Sequence, residues 1–407
     1  MEREQQMWKY ALTCVMVTIS TLGFGRMSYG ILMPFMKEEL TLTYEQAGML
    51  GTITSIGYLG LVLFAGIMAA KWGSKRLVVI GTLLVAAGLF YLSFVQSFFS
   101  CMLGMAILGI GTAFTYTPLV NIVVGWFPRQ RGMMIGFLGS GLGLGTLISS
   151  AMIPFFTAWF SMSGWRYLWA VYGLLSLLSA LAAQIVLRDP PIPARKNAQA
   201  EESLFREVYV HKRVLLVALI YGLIGFAYLI PQSFLFSFML ESDINRYEAG
   251  QIMAAGGLLS IFSGPLWGTI SDRVGRKKSL LTALFIGASA MALPVVFPVY
   301  AGFMASQLLW GITVVGMLLL IQALSTEQIH PSYAPVALGY VTVYFAAGQL
   351  LGPGLGGWLV DHAGGIRSSL VLCSVLLLLS FIFSTQLHKQ AAGEKLAIPK
   401  EQQTTGG

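Results

Sequence analysis

The sequence predicts an all-α polytopic membrane protein: twelve transmembrane helices in two pseudo-symmetric six-helix halves. Three observations carry that expectation. Charge is scarce, apolar runs near 20 residues recur along the whole chain, and the second half repeats the register of the first. Of 407 residues, 56% are hydrophobic and 10% charged, with a mean hydropathy of +0.74. Soluble domains carry about 25% charged residues, so no soluble domain of any size is left over. A run of about 20 apolar residues crosses the hydrocarbon core as one helix.

Taken in order, the spans fall at 10–33, 46–68, 77–95, 99–124, 133–156, 166–187, 214–238, 247–267, 279–297, 300–323, 336–358 and 366–386. The first run is about twice as long as a signal-peptide core and lacks a small-x-small cleavage site, so it reads as a retained span. Most connections are short. The exception, 188–213, opens with Asp189-Pro190-Pro191-Ile192-Pro193 and stays polar. It divides the chain into an N-terminal half (1–188), a linker (189–213), a C-terminal half (214–388) and a flexible tail (389–407). Within the linker Leu204, Phe205, Val208 and Tyr209 share one helical face, as in a short helix lying at a membrane interface.

The halves repeat at a constant offset of 202: Gly23-Phe24 with Gly225-Phe226, Ala47-Gly48 with Ala249-Gly250, Gly66 with Gly268, Gly73 with Gly275, and Lys75 with Lys277. A register that holds without a gap from the first span to the second loop marks internal duplication, and transporters bind substrate where such repeats meet.

Basic residues set the orientation. Twenty of the 25 Lys and Arg fall on the side that carries both termini and four (Lys37, Arg166, Arg246, Arg367) on the other, with Arg26 inside a span. The bias places both termini in the cytoplasm of a multi-pass cell-membrane protein, expected in a bacterial cytoplasmic membrane. The net charge of +8 thus belongs to topology rather than to a nucleic-acid partner. Cys14, Cys101 and Cys373 are far apart and sit in or beside spans, as small apolar residues do. No metal set, cofactor or nucleotide-binding loop is indicated, and the chain is expected to act as a monomer in the lipid bilayer.

The stretch Gly23-Phe24-Gly25-Arg26-Met27-Ser28-Tyr29-Gly30 puts a guanidinium deep in the first span. An arginine there costs roughly 2.5–3.5 kcal/mol on insertion scales. All 17 acidic residues and all four histidines lie in loops, tails or span ends, with Glu45, Glu248, Glu327 and Asp361 nearest the hydrocarbon. No acid pair or nucleophile–base pair is available at membrane depth, which excludes intramembrane hydrolysis. Arg26 therefore lacks an internal carboxylate. Two readings stay open: it receives a transported anion, or it is satisfied structurally by snorkelling outward, by carbonyls or by water.

The loop after the eighth span reads Gly268-Thr-Ile-Ser-Asp272-Arg273-Val-Gly275-Arg276-Lys277-Lys278. On it the chain resembles the major facilitator superfamily, whose loop motif is Gly-x-x-x-Asp-Arg-x-Gly-Arg-Lys. The resemblance implies a cytoplasmic latch of Gly268, Asp272, Arg273, Gly275 and Arg276, in which Gly268 lets helices close up and Asp272 meets a helix N-terminus. The first-half copy keeps Gly66 and Gly73 but has Ala70 for the acid and Ser74 for the arginine, so the latch is expected to be one-sided. Tyr116-Thr-Pro118, Trp126-Phe127-Pro128-Arg129-Gln130-Arg131-Gly132 and the glycines at 136, 139, 141, 143 and 145 are similar to the branch of monocarboxylate and oxalate/formate carriers. The arginines of the proton-coupled fourth-span motif and of the monocarboxylate carriers' eighth span are missing here. The Gly-Pro-x-x-Gly-Gly string of drug–proton antiporters is absent from the fifth span. A related string, Gly348 to Gly357, falls in the eleventh, where it suits a flexible, closely packed helix.

In that superfamily the first, fourth, seventh and tenth spans line the cavity. Carried over, this offers Arg26, Tyr29, Tyr116, Asn121, Tyr221, Tyr228, Gln232, Gln307 and Trp310 for substrate, with Tyr344 beside Tyr340 on the eleventh span. Tyr221, Tyr228 and Gln232 form one stripe by their spacing, and Pro231 kinks the helix beside Gln232. The expectation is a secondary carrier of a small organic anion, monocarboxylate-like, driven by proton symport or anion exchange. Efflux of amphiphilic drugs and a non-transporting membrane sensor are the alternatives.

Overall fold

Apolar side chains on every face of a long segment leave a helix as the way to satisfy the backbone in lipid, and the chain uses that solution throughout. The computed structural model describes residues 2–127, 130–190, 209, 211–329 and 334–387. The interfacial helix expected in the linker, apart from Tyr209, and the tail lie outside the described residues. Helix α1 runs in three contiguous pieces: Glu2–Thr18 as α-helix, Ile19–Met27 as π-helix and Ser28–Glu39 as α-helix. The others are α2 (Tyr44–Trp72), α3 (Ser74–Leu92), α4 (Phe98–Trp126), α5 (Arg131–Phe160) and α6 (Gly164–Val186). In the second half follow α7 (Lys212–Glu241), α8 (Arg246–Val274), α9 (Arg276–Val296), α10 (Tyr300–Glu327), α11 (Ala334–His362) and α12 (Ile366–Thr385). Eleven are long and apolar enough to cross a membrane, and α2, bent by 49° between Val62 and Phe64, makes twelve.

The duplication reaches down to the caps. Thr43 with Gln46 and Asn245 with Glu248, again 202 apart, form capping boxes that start α2 and α8. The same helices end on Gly73 (φ +92°) and Gly275 (φ +94°), one-residue reversals in the left-handed region where glycine carries no Cβ penalty.

The halves meet where α2 lies on α11, α5 on α8, and the last piece of α1 on α7. A Cβ on Gly257 would stand 3.0 Å from the carbonyl oxygen of Gly143, and Gly48 and Gly357 back onto Pro353 and Tyr44 across the seam. Each of these contacts lies from the middle of the bundle towards the end opposite the termini. The same helix faces continue towards the termini. Gly139, Gly136 and Gly132 share the face of Gly143, Gly268 shares that of Gly257, and Gly66 and Gly339 stand five turns from Gly48 and Gly357. At all six positions a Cβ would find nothing within 4 Å. The halves are therefore joined at the far end and splayed at the end carrying the termini.

Leucine substitutions separate the two zones. Gly143→Leu drives a side chain into α8 and is expected to cost about 1–3 kcal/mol by overpacking, whereas Gly139→Leu leaves unfolding near that of the unsubstituted protein. Thermal unfolding in detergent checks this, and equal destabilisation by both would contradict the splayed arrangement.

Candidate substrate site

Arg26 is the last residue but one of the π segment of α1, which closes where Ser28 N–H donates to the carbonyl of Gly23, five residues back. The segment is gripped on two sides. A Cβ on Gly23 would stand 2.6 Å from Cα of Gly145 on α5, and Gly30 backs onto the carbonyl of Gln232 on α7. The glycines around Arg26 thus make room for neighbouring helices rather than for a ligand. Hydroxyls on the same stretch bond back to their own helix, Ser20 to Met16 O (3.0 Å) and Thr21 to Val17 O (2.9 Å), while Phe24 stacks on Tyr172 at 4.3 Å. Wide π turns of this kind recur at functional sites because they offset one side chain from the regular helical register. Here that side chain is Arg26.

The guanidinium points between the halves rather than out to the headgroups. One Nη donates to Oε1 of Gln349 on α11 at 3.1 Å, and the group lies 5.1 Å from the ring centre of Tyr58 on α2. Tyr58 and Tyr228 are both within electrostatic range of it. Tyr116 lies within electrostatic range of those two phenols, and Tyr221 within range of all three. At the repeat's offset of 202, Tyr228 is the second-half counterpart of Arg26, so the two face each other across the pseudo-symmetry axis. Ion pairs Arg166–Glu39 (2.8 Å) and Arg276–Glu327 (2.6 Å) lie at helix ends. Arg26 keeps part of its surface accessible, and the partners it has are neutral.

Gln349 stands one turn before the proline inside α11. Pro353 has no N–H to donate to the carbonyl of Gln349. Thr52 of α2 is spliced into the next rung, donating to Leu350 O (2.9 Å) and accepting from Gly354 N (3.1 Å). In α7 the proline at 231 frees the carbonyl of Ala227, and Sγ of Cys373 takes it at 3.3 Å. On the joined side of Arg26 a small pocket, with space for about one water molecule, is lined by Tyr29, Thr54, Ser55, Gln232 and Ser233.

Of the expected substrate residues, Tyr228 lies within electrostatic range of Arg26, its hydroxyl donating to Sδ of Met27 at 3.8 Å; Tyr116 lies within range of Tyr58 and Tyr228, and the buried Tyr221 accepts from Nε2 of Gln322 at 2.7 Å. Gln232 is adjacent, but its amide Nε2 donates to Met27 O (3.1 Å) and props the π segment. The Tyr29 hydroxyl donates to Ala47 O (2.7 Å), tying α1 to α2. Gln307 turns from the cavity to the backbone of Gly256 on α8 and is 5% exposed. Trp310 is buried in the apolar core, Asn121 is exposed, and Tyr344 pairs with Tyr340 (2.9 Å), nearer the termini. Those four do not meet Arg26, because a helix that lines a cavity presents one face to it and they lie on others or at another depth. Tyr58 and Gln349 were missed, since α2 and α11 are not cavity helices in the superfamily pattern. The available signals were a polar residue at mid-span four positions before a proline, and a tyrosine one turn past Thr54.

The loop motif is open in this state. Nothing approaches Gly268, so the expected close packing there is absent, and Asp272 and Arg273 are exposed rather than set against a helix N-terminus. Splaying of the halves is the reason. Arg276 pairs with Glu327, and Nζ of Lys277 donates to Thr385 O (2.6 Å) and Leu387 O (2.5 Å), holding the motif to its own half. In the first-half copy Asp189 supplies the acid, accepting from Lys75 N at 2.8 Å at the start of α3. At the joined end Asp361 of α11 accepts from Tyr44 N (3.3 Å) and Glu45 N (2.6 Å), capping α2 across the seam.

Comparison with known proteins agrees with this architecture. The family model described as Major Facilitator Superfamily matches residues 15–268 and 233–403. Human monocarboxylate transporter 11 is 23% identical, covering 92% of this chain and 82% of the relative. Bovine monocarboxylate transporter 13 is 25% identical over 94% and 93%. The agnestins efflux protein AgnL12 of Paecilomyces divaricatus is 24% identical over 89% and 83%. Among solved structures, the nucleoside transporter NupG aligns with a TM-score of 0.74 at 15% identity, covering 94% of this chain and 98% of that one. A bacterial homologue of the human lysosomal transporter Spinster, inward-facing and unoccupied, aligns at 0.71 with 16% identity over 94% and 96%. The chain belongs to the Major Facilitator Superfamily and is a multi-pass membrane transporter rather than an enzyme.

Proposed function

We propose that the protein carries a small organic anion of the monocarboxylate class, by proton symport or anion exchange. The observation that supports it is Arg26: a partly accessible guanidinium between the halves, among phenols and one amide, with no carboxylate in ion-pair reach among the described residues. A carboxylate satisfies such a group with two parallel hydrogen bonds, and in this reading the phenols of Tyr228 and Tyr116 donate to its remaining lone pairs. The names of the related monocarboxylate transporters point to the same class. With no acid or histidine beside Arg26 among the described residues, a coupled proton has to enter with the substrate, or a second anion has to leave in exchange.

With the termini in the cytoplasm, as the charge bias argues, the splayed end is the inner one and the structure is the inward-facing state. The outer end is then closed by the Asp361 cap and the seam glycines. Gly268, Asp272, Arg273, Gly275 and Arg276 form the inner latch when the halves rock the other way. Efflux of amphiphilic aromatic compounds is the second reading, favoured by the tyrosine cluster and by the named function of the agnestins relative.

Three measurements test this. Uptake into proteoliposomes is expected to be inhibited by lactate, pyruvate or oxalate and not by cationic dyes; the reverse pattern favours drug efflux. Arg26→Lys keeps the charge but loses the fork geometry, and is expected to weaken anion affinity about tenfold or more at normal expression. Unchanged kinetics would remove Arg26 from the site. Asp272→Asn is expected to raise cysteine accessibility from the cytoplasm by weakening the latched state, and unaltered accessibility would count against the latch.

A further inference from the structure

The hydrogen bond from Arg26 to Gln349 joins helices of different halves, α1 and α11. Arginine has no acceptor, so the atom facing it is the amide oxygen, which presents the shape of a carboxylate oxygen without the charge. Gln349 is itself 4% exposed, and its carbonyl loses its helical donor to Pro353, one turn on, where Thr52 of α2 bonds to Leu350 O and Gly354 N. The cation of one half is therefore held by a neutral side chain of the other.

We propose that Gln349 is the resident stand-in for the substrate carboxylate: the anion takes its place on Arg26, and this exchange releases α11 from α1. The inference rests on the anion reading of Arg26 given above. The exchange runs in the required direction because a carboxylate accepts two parallel N–H bonds from the guanidinium and adds charge–charge attraction in a low-dielectric site, neither of which a single neutral amide oxygen supplies. It also gives occupancy a mechanical consequence. A ligand shifts a conformational equilibrium only through differential interaction with the two states. Displacing a cross-seam contact is such a difference, since the bond being replaced exists in the joined arrangement of α1 and α11. Tyr58 covers one face of the guanidinium and Gln232 is engaged on Met27, so the edge held by Gln349 is the one a two-pronged acceptor has to share or take.

The experiment uses the full chain in detergent, with thermal unfolding read alone and against pyruvate. Gln349→Glu installs a permanent carboxylate, and is expected to raise the unfolding temperature and abolish stabilisation by pyruvate. The rise is expected to vanish when Arg26→Gln is added. Gln349→Met, which removes the competing acceptor without adding charge, is expected to bind pyruvate more tightly than the unsubstituted protein. Weaker binding by Gln349→Met, or no Arg26-dependent rise in Gln349→Glu, overturns the stand-in role while leaving the anion reading intact. Unchanged pyruvate affinity in Arg26→Gln alone, or no response of the unsubstituted protein to pyruvate, overturns the anion reading and this inference with it. The ligand-free rise in Gln349→Glu is readable in every case, and size-exclusion profiles of the variants identify any that fail to fold.

Discussion

A guanidinium in the low-dielectric interior of a helix bundle must be satisfied or the bundle is destabilised, and the arrangement around Arg26 meets that demand only with neutral groups. Breaking a buried charge pair typically costs about 3–5 kcal/mol. An amide oxygen, an aromatic face and nearby phenols lower that cost without cancelling the charge. Much of the local architecture serves this placement. The π segment rotates Arg26 out of the helical register, the Gly23 and Gly30 contacts clamp the segment from both sides, and Gln232 props its last carbonyl. The chain thus places a cation where two halves meet and lets part of it remain accessible.

Those halves obey a second constraint. Duplicated six-helix units share their caps and their one-residue reversals at a fixed offset, yet the seam between them is not uniform along its length. Small residues packed backbone to backbone hold one end, where Asp361 also caps α2. The continuation of the same faces stands free at the other end. Helices carrying glycine on one face along their full length can close on either half of that face, which fits a transporter of this family rocking about a central site.

Hydropathy and the loop motif made the spans, the repeat and the superfamily legible, since lipid constrains every residue of a span and leaves a signal many residues long. The helices overrun the expected span ends, as in α10 to Glu327 and α2 to Trp72, because capping and reversal residues beyond the hydrocarbon decide where a helix stops. The site was legible in part. Arg26 announced itself by its cost, and Tyr116 and Tyr228 by helix and depth. Gln307 and Trp310 were chosen by helix number, which says nothing about which face turns to the cavity. Tyr58 and Gln349 depend on the angle at which α2 and α11 cross α1, and the Thr52 splice and Asp361 cap depend on long-range contacts. Such information lies in tertiary packing and in no local run of residues.

Contact between Arg26 and a substrate carboxylate is what anion transport by this chain requires. A rotational-echo solid-state NMR measurement between 13C-carboxylate pyruvate and 15N-labelled guanidinium, in membranes, reads that contact directly. Dephasing that corresponds to a separation of about 4 Å, the spacing of a hydrogen-bonded arginine–carboxylate pair, is the predicted result, lost when residue 26 is substituted by lysine. Bound pyruvate with no dephasing, or dephasing that survives that substitution, would contradict it.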